Sequence, residues 1–427
     1  MALTFGLMAL FLVLGAPLAA TFGLVVFLQM GSFGVSISGL SNIPYEEISS
    51  YPLVAIPLFM LTGELMNCSG MAAQLIALAD LMLRRIRAAF GYITVAASAM
   101  MGAITGSSVA TVAAVGGIVS PEMAKRGYPP AYTASLTSSA GLLGVLVPPS
   151  IPLILYGATV GVSISQLFTA TMLPALLMAV LFLVVHAVLS RRLLKNGQET
   201  RIEGGAGPLE RRPPSRILLN SLSAVLLPVV ILGGIYGGIM TPTEAAAVGC
   251  LYAVAVSLAR RLIDRRGFAR SFRAAAITGS SILVIIAMTG IFNRAMVLNQ
   301  VPQDIAVWLA TYIDSPIAFL LTVNVVLLLV GTFMETNASI LLMGPLLAPA
   351  AERFGIDPVH FGIIIATNLE IGLLTPPMAA NLYVAARAAK VRLGDMLPYL
   401  GWFFAAALIG QAVITFVPFA TLWFRYL

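Results

Sequence analysis

A chain of 427 residues in which 59% are hydrophobic, only 10% are charged and the mean hydropathy is +0.98 is excluded from the soluble globular class, where about a quarter of residues carry charge. It reads as a polytopic membrane protein. Its net charge of +7 sits in the loops between apolar runs, which serves topology and contact with anionic headgroups of the lipid bilayer rather than nucleic-acid binding.

In chain order, residues 1–31 are apolar but interrupted at Gly15-Ala16-Pro17, which predicts two short helices. No basic leader or small-residue cleavage site accompanies them, so they are expected to stay in the membrane. Residues 32–50 form a polar loop with acids and no Lys or Arg, and 51–67 can span. Residues 71–87 carry apolar side chains at helical spacing and end in Arg84, Arg85 and Arg87, the pattern of an amphipathic helix lying in the interface. Residues 89–125 hold two apolar halves about Gly106-Ser107-Ser108 and end in Lys125-Arg126. Each half is marginal for a crossing of about 20 residues, so a re-entrant hairpin is expected. A helix over 131–158, broken at 144–150, and an unbroken one over 164–190 complete the first half. Cys68 and Cys250 lie in apolar segments and are expected to be buried free thiols.

Residues 191–216 are hydrophilic, basic and rich in Gly and Pro, and divide the chain almost in half. The second half offers crossings at 217–239, 243–259 and 274–296, then a polar turn with Asp304 and Asp314. A hairpin follows over 316–353, then a broken helix over 359–388 and a last helix over 396–425. Shifting the sequence by 228 positions superposes Gly116 on Gly344, Pro121 on Pro349, Gly144 on Gly372 and Pro148-Pro149 on Pro376-Pro377. So many Gly and Pro in one register indicate an internal duplication. The fold expected is all-α and polytopic, with five-helix repeats over 1–190 and 217–427, each with a re-entrant hairpin and a broken helix. Five crossings per half place the basic clusters at 84–87, 125–126, 191–216, 260–273 and 387–392 on one face. The positive-inside rule makes that face cytoplasmic. Because five is odd, the second repeat is inverted, and both termini are expected outside the cytoplasm.

Breaks at membrane depth leave backbone groups unpaired, which is tolerated only where they face protein or a wet cavity. Two hairpin tips and two broken helices, entering from opposite sides, meet the needs of a transporter site at the bilayer midplane. The first tip is Thr105-Gly106-Ser107-Ser108, with Thr111 one turn on, and its break runs from Gly144 through Val147 and Pro149 to Ser150. The second tip is Glu335-Thr336-Asn337-Ala338-Ser339, and its break runs from Gly372 through Thr375 to Pro377. Hydroxyls and free carbonyls suit a small hard cation such as sodium, and helix N-termini suit a carboxylate. Ser108, Thr111, Ser150, Ser339 and Asn381 are the candidates to face a substrate. Glu335 is either an intramembrane functional carboxylate or a helix cap. Glu370 and Glu64 are open between function and structural pairing, for instance with Arg294. His186 and His360, at helix ends, are expected to be structural. The chain contains no HExxH, G-x-S-x-G or phosphate-loop motif, and it is not read as an enzyme.

The runs TGSSVATVAAVGGIVSPEMAKRGYPPAYTASLTSSAGLLGVLVPPSIPLILYG and METNASILLMGPLLAPAAERFGIDPVHFGIIIATNLEIGLLTPPMAANLYVAAR resemble the large membrane subunit of tripartite ATP-independent periplasmic (TRAP) transporters, and the resemblance extends over essentially the whole chain. It implies a bacterial inner-membrane secondary transporter, driven by sodium as coupling ion and using no other cofactor. Such a transporter takes an organic acid from a periplasmic binding protein, and the family includes C4-dicarboxylate and sialic acid carriers. An elevator mechanism is implied, with a separate small four-helix membrane subunit completing the scaffold; no such subunit is expected within this chain. By position, a first sodium site would draw on Thr105, Ser107 and Ser108 with carbonyls near Gly144, Val147 and Pro149. A second would draw on Glu335, Thr336 and Asn337 with Gly372, Thr375 and Pro377. The fold also resembles the divalent-anion/sodium symporters, but their paired Ser-Asn-Thr tips are absent. An ion channel is the other class that uses re-entrant hairpins.

Overall fold

The computed structural model describes residues 2–33, 40–83, 85–194 and 213–426. Most of the expected basic linker, residues 195–212, lies outside them, as do Arg84 and residues 34–39 of the first polar loop. Among the described residues the chain is helical with no strand, and seven helices are long and apolar enough to cross a membrane.

Gly15, at φ +78°, and Pro17 separate α1 (Ala2–Val13) from α2 (Leu18–Leu28), as the sequence predicts. The two helices run antiparallel, with the Thr4 hydroxyl near the start donating to Gln29 Oε1 past the end at 2.7 Å. At 12 and 11 residues and about 1.5 Å per residue, neither alone spans a hydrocarbon core of about 30 Å. There follow α3 (Ala55–Cys68) and the amphipathic α4 (Met71–Leu83). The hairpin arms are α5 (Ala89–Thr105) and α6 (Ser108–Lys125), and the broken helix is α7 (Pro130–Ala140) with α8 (Ile151–Val160). Its interruption begins at Gly141, earlier than expected, with only the short turn Leu143–Leu146 inside it. The expected helix over 164–190 is present as one apolar span, Ile164–Leu193, with a local irregularity at Thr171 that divides it into α9 (Ile164–Ala170) and α10 (Met172–Leu193). Pro174 has no N–H for the Ala170 carbonyl. The Thr171 hydroxyl instead donates to Leu146 O at 2.9 Å, satisfying a carbonyl exposed by the break.

The second half runs through α11 (Pro214–Tyr236), α12 (Pro242–Ala259) and α13 (Arg265–Leu298). At 34 residues, α13 begins nine positions before the apolar run, because Asp264 caps it by accepting from Gly267 N at 2.7 Å. The expected polar turn is instead a second amphipathic helix, α14 (Val301–Tyr312). It buries Val301, Ala306 and Leu309 at helical spacing and exposes Trp308 and Tyr312. The next arms are α15 (Pro316–Phe333) and α16 (Thr336–Arg353), and α17 (Pro358–Gly372) with α18 (Ala380–Ala389) forms a broken helix. The last helix, α19 (Leu393–Phe416), ends before its expected limit because Pro418 cannot continue it.

Helices α2, α3, α4, α11, α12 and α13 pack mainly on one another, while α5–α10 and α15–α19 form a second group. Within the second group the arms are exchanged: α6 lies against α18, and α16 lies against α8. Gly116 and Gly344 mark those contacts. A β-carbon on Gly116 would stand 3.4 Å from Ala388 Cβ, and one on Gly344 3.4 Å from the Tyr156 ring.

The second group is tied internally by buried polar side chains. Asn324 Oδ1 of α15 accepts from Asn368 Nδ2 of α17 at 2.6 Å, from Gln411 Nε2 of α19 at 2.8 Å and from the Thr415 hydroxyl at 3.3 Å. Asn324→Leu removes this shared acceptor, leaving Asn368 Nδ2 only the backbone oxygen of residue 324 at 3.1 Å and Gln411 Nε2 only Ile364 O at 3.2 Å and Thr415 Oγ1 at 3.4 Å, and its expected cost is about 1–3 kcal/mol. A fall of several degrees in unfolding temperature checks this, and an unchanged temperature refutes the role given to Asn324. His186 bonds Tyr132 Oη at 2.6 Å and Ala88 O at 2.9 Å; His360 bonds Thr421 Oγ1 at 2.6 Å and Thr415 O at 3.2 Å. Both are held in structural networks, as expected. Cys250 is buried and Cys68 half-buried, both free.

Candidate functional site

Gly106 ends α5 at φ +59°, a left-handed conformation that glycine adopts freely, with its N–H bonded to Gly102 O at 3.1 Å. Ser107 then caps α6, its hydroxyl accepting weakly from Ala110 N at 3.5 Å. This tip rests on the break of α7–α8. Ile151 N donates to Gly106 O at 3.2 Å, and a β-carbon on Gly106 would stand 2.8 Å from Pro149 O. The Thr105 and Thr111 hydroxyls are 3.0 Å apart, and Thr105 Oγ1 lies 3.3 Å from Ser107 O. Gly144 closes on the same oxygens: a β-carbon there would lie 2.5 Å from Thr111 Oγ1 and 2.7 Å from Ser107 O. Thr105, Ser107, Thr111, Gly144 and Pro149 are thus drawn together, and the donors they offer are oxygens, which suits a hard cation.

The second tip is built alike. Glu335 stands 228 positions after Ser107 and caps α16, accepting from Asn337 N at 3.1 Å and Ala338 N at 3.3 Å; Asn337 Nδ2 donates to its other oxygen. Met378 N donates to Thr332 O at 2.9 Å, fastening the tip to the break of α17–α18. Both breaks contain a cis proline pair, Pro148-Pro149 and Pro376-Pro377. Gly372 meets Gly331 backbone to backbone, and a β-carbon on it would lie 2.6 Å from Gly331 Cα. Glu370, 1% exposed, faces Ser108 of the first tip and Thr336 of the second and stands near Glu335. Its Oε2 has no hydrogen-bond partner, nor do Thr336 Oγ1 and Asn337 Oδ1. Such unpaired buried atoms are uncommon in folded proteins, and here three of them gather about the second tip.

A cavity of about 490 Å³ opens where the two helix groups meet. Thr105, Ser107 and Ser108 line it from the first tip, Glu335 and Asn337 from the second, and Glu370 from α17. Its opposite wall is α3, through Glu64 and Asn67, and α13, through Thr278 and Ser281. Three carboxyls line it and, among the described residues, no Lys or Arg does. The other expected residues lie behind or away from this surface. Thr111, Gly144, Pro149, Thr336 and Gly372 sit behind the tips. Val147 is half-buried, and Ser150, Ser339 and Asn381 are fully buried with unpartnered side chains. Thr375 is half-buried and Pro377 exposed. Of the substrate-facing candidates, Ser108 alone lines the cavity. The suggested pairing of Arg294 with Glu64 or Glu370 is not formed, because Arg294 lies in a separate cavity of about 600 Å³ with Glu46 and Glu47. Asn67, Thr278 and Ser281 escaped sequence reasoning. The one available signal was polar residues three apart on a single face of an apolar helix, as with Glu64 and Asn67.

The sequence matches, over residues 5–423, the family described as "Tripartite ATP-independent periplasmic transporter, DctM component". It is 35% identical over 425 residues to the isethionate TRAP transporter permease protein DctMQ of Oleidesulfovibrio alaskensis, a match covering 98% of this chain and 65% of that relative. The chain therefore spans just under two thirds of that protein's length. It is 36% identical over 388 residues to the C4-dicarboxylate TRAP transporter large permease protein DctM of Pseudomonas aeruginosa, covering 91% of this chain and 89% of that one. With the sialic acid TRAP transporter large permease protein SiaM of Vibrio cholerae the identity is 34% over 345 residues, covering 81% and 79%. Among solved structures, the Alcanivorax borkumensis YdaH transporter shares the fold, with a TM-score of 0.66, 16% identity and coverage of 99% and 98%.

Proposed function

Because this chain belongs to the DctM-component family of TRAP transporters, we propose that it imports an organic acid anion, coupled to sodium, after delivery by a periplasmic binding protein and together with a small membrane subunit. Carboxylates and sulfonates are the substrate classes in view, since the relatives are named for C4-dicarboxylate, sialic acid and isethionate. The reading rests on one observation above all, the cavity shared by both tips, whose ionisable lining is three carboxyls. An anion meets net repulsion there until cations have entered. Sodium at the oxygen clusters of the two tips removes that repulsion, and the N-terminal ends of α6 and α16 then offer backbone N–H groups and positive dipole ends to the acid. Cation first and anion second is the order this electrostatics imposes, and it is the physical content of the coupling.

The cavity walls divide between the two helix groups, so translation of the group holding both tips past α3 and α13 carries the cargo without dismantling its ligands. That is an elevator. The two halves serve as inverted repeats in an inner membrane, with the basic clusters cytoplasmic and both termini outside.

Uptake into proteoliposomes containing the small subunit and supplied with binding protein tests the proposal. Accumulation is expected only with an inward sodium gradient. Ser107→Ala and Thr375→Ala are each expected to raise the half-saturating sodium concentration about threefold to tenfold, the loss of one oxygen ligand. Uptake indifferent to the gradient overturns the coupling, and an unchanged sodium titration overturns the ligand assignment.

A further inference from the structure

Away from the shared cavity, a pocket of about 380 Å³ lies at one end of the molecule, where the turn leading from α4 into α5 meets the end of α10. Arg87 and Arg191 line it together with Tyr92, Ser190 and Ile86, and among the described residues no acidic one does. Among the described residues, neither arginine has an ion-pair or hydrogen-bond partner. The neighbouring basic pair is different: Lys125 and Arg126 both bond Glu122 at 2.8 Å, and Arg126 lies over the Phe90 ring. Arg191 and Arg192 also offset the negative C-terminal end of α10. That role does not extend to Arg87, which comes from another segment and converges on the same pocket.

The surroundings say what kind of anion fits. The apolar span of α10 ends here, placing the pocket at headgroup depth, and Tyr92 is of the type that lines membrane interfaces. Ile86, which lines the pocket, is 47% exposed, and Met82 in the last turn of α4 is 73% exposed, so the cationic pocket is adjoined by apolar surface at Ile86. A ligand with an anionic head and apolar tails satisfies both, whereas a soluble phosphate leaves that surface unused. We propose that Arg87 and Arg191 hold the phosphate of an anionic phospholipid such as phosphatidylglycerol, with Met82 and Ile86 against its acyl chains. The site joins the connection between the helix groups to the end of α10, so an occupying lipid braces the junction across which the groups would move.

Native mass spectrometry of the detergent-purified full chain measures this directly and does not depend on transport. Phosphatidylglycerol is expected to be retained by wild type in preference to phosphatidylcholine. An interfacial arginine contributes about fivefold in affinity, so Arg87→Gln/Arg191→Gln should weaken phosphatidylglycerol binding about thirtyfold, while Arg87→Lys/Arg191→Lys keeps most of it. Arg87→Gln alone serves if the double variant does not elute as folded protein. Equal phosphatidylglycerol retention by wild type and the glutamine variants overturns the site. Glycerol 3-phosphate stabilising wild type against heat as well as phosphatidylglycerol does overturns its assignment to a lipid.

Discussion

Gly372→Ala is expected to abolish uptake and to lower the unfolding temperature by several degrees, whereas Gly117→Ala leaves both near wild type. Nothing lies within 4 Å of a β-carbon placed on Gly117, on arm α6. On Gly372 the same atom would stand 2.6 Å from both Cα and C of Gly331. Both partners are backbone, so no rotamer change relieves the overlap; either α15 or the start of the break must shift. Overpacking of this kind costs about 1–3 kcal/mol, and here the displacement falls on the seat of the second tip. The first half has the same crossing, where a β-carbon on Gly102 would meet Leu143 O at 2.5 Å and Gly144 Cα at 2.9 Å. Gly102→Ala should therefore resemble Gly372→Ala. Wild-type uptake and unfolding temperature in Gly372→Ala would show that the close crossing is dispensable.

Glu335→Gln and Glu370→Gln are each expected to raise the half-saturating sodium concentration about tenfold or more. A unit charge about 4 Å from a cation contributes about 4 kcal/mol at an effective dielectric constant near 20, much of it offset by desolvation. Glu335 has two roles that the substitutions separate. Glutamine keeps an oxygen to accept from Asn337 N and Ala338 N but removes the charge; alanine removes both. Were Glu335→Ala unstable while Glu335→Gln titrated sodium like wild type, the residue would be a helix cap and nothing more. Glu370 caps no helix, so Glu370→Gln tests the charge alone, with circular dichroism as the check on folding.

The hairpins were legible because two facts coincide in the sequence: apolar runs of marginal length, and Gly, Ser or Asn at their midpoints. The arm Ser108–Lys125 maps onto Thr336–Arg353 at a shift of 228 at both ends, the same shift that the Gly and Pro register gives. Amphipathic α4 was legible from its apolar spacing and arginine terminus. Its later analogue α14 was not, because Asp304 and Asp314 dominate a short stretch whose buried residues are only Val301, Pro302, Ala306 and Leu309. The start of α13 was hidden for a different reason. Hydropathy marks where a helix enters lipid, not where its hydrogen bonding begins, and the Asp264 cap lies ten residues earlier. The opposite wall of the cavity and the bonds about Asn324 were out of reach on principle. Asn324, Asn368 and Gln411 are 44 and 43 residues apart along the chain, and no local pattern announces a meeting of that kind.

The exchange of arms between the halves bears on how the protein is assembled in the cell. Arm α6 finds the helix it covers only after α18 has been synthesised, more than 250 residues later, and until then its buried face, including Gly116, must be shielded by lipid or by the insertion machinery. Each half, made as a separate chain, would expose such a face permanently. The two fragments should therefore be unstable alone and recover when co-expressed, each supplying the surface that the other leaves bare.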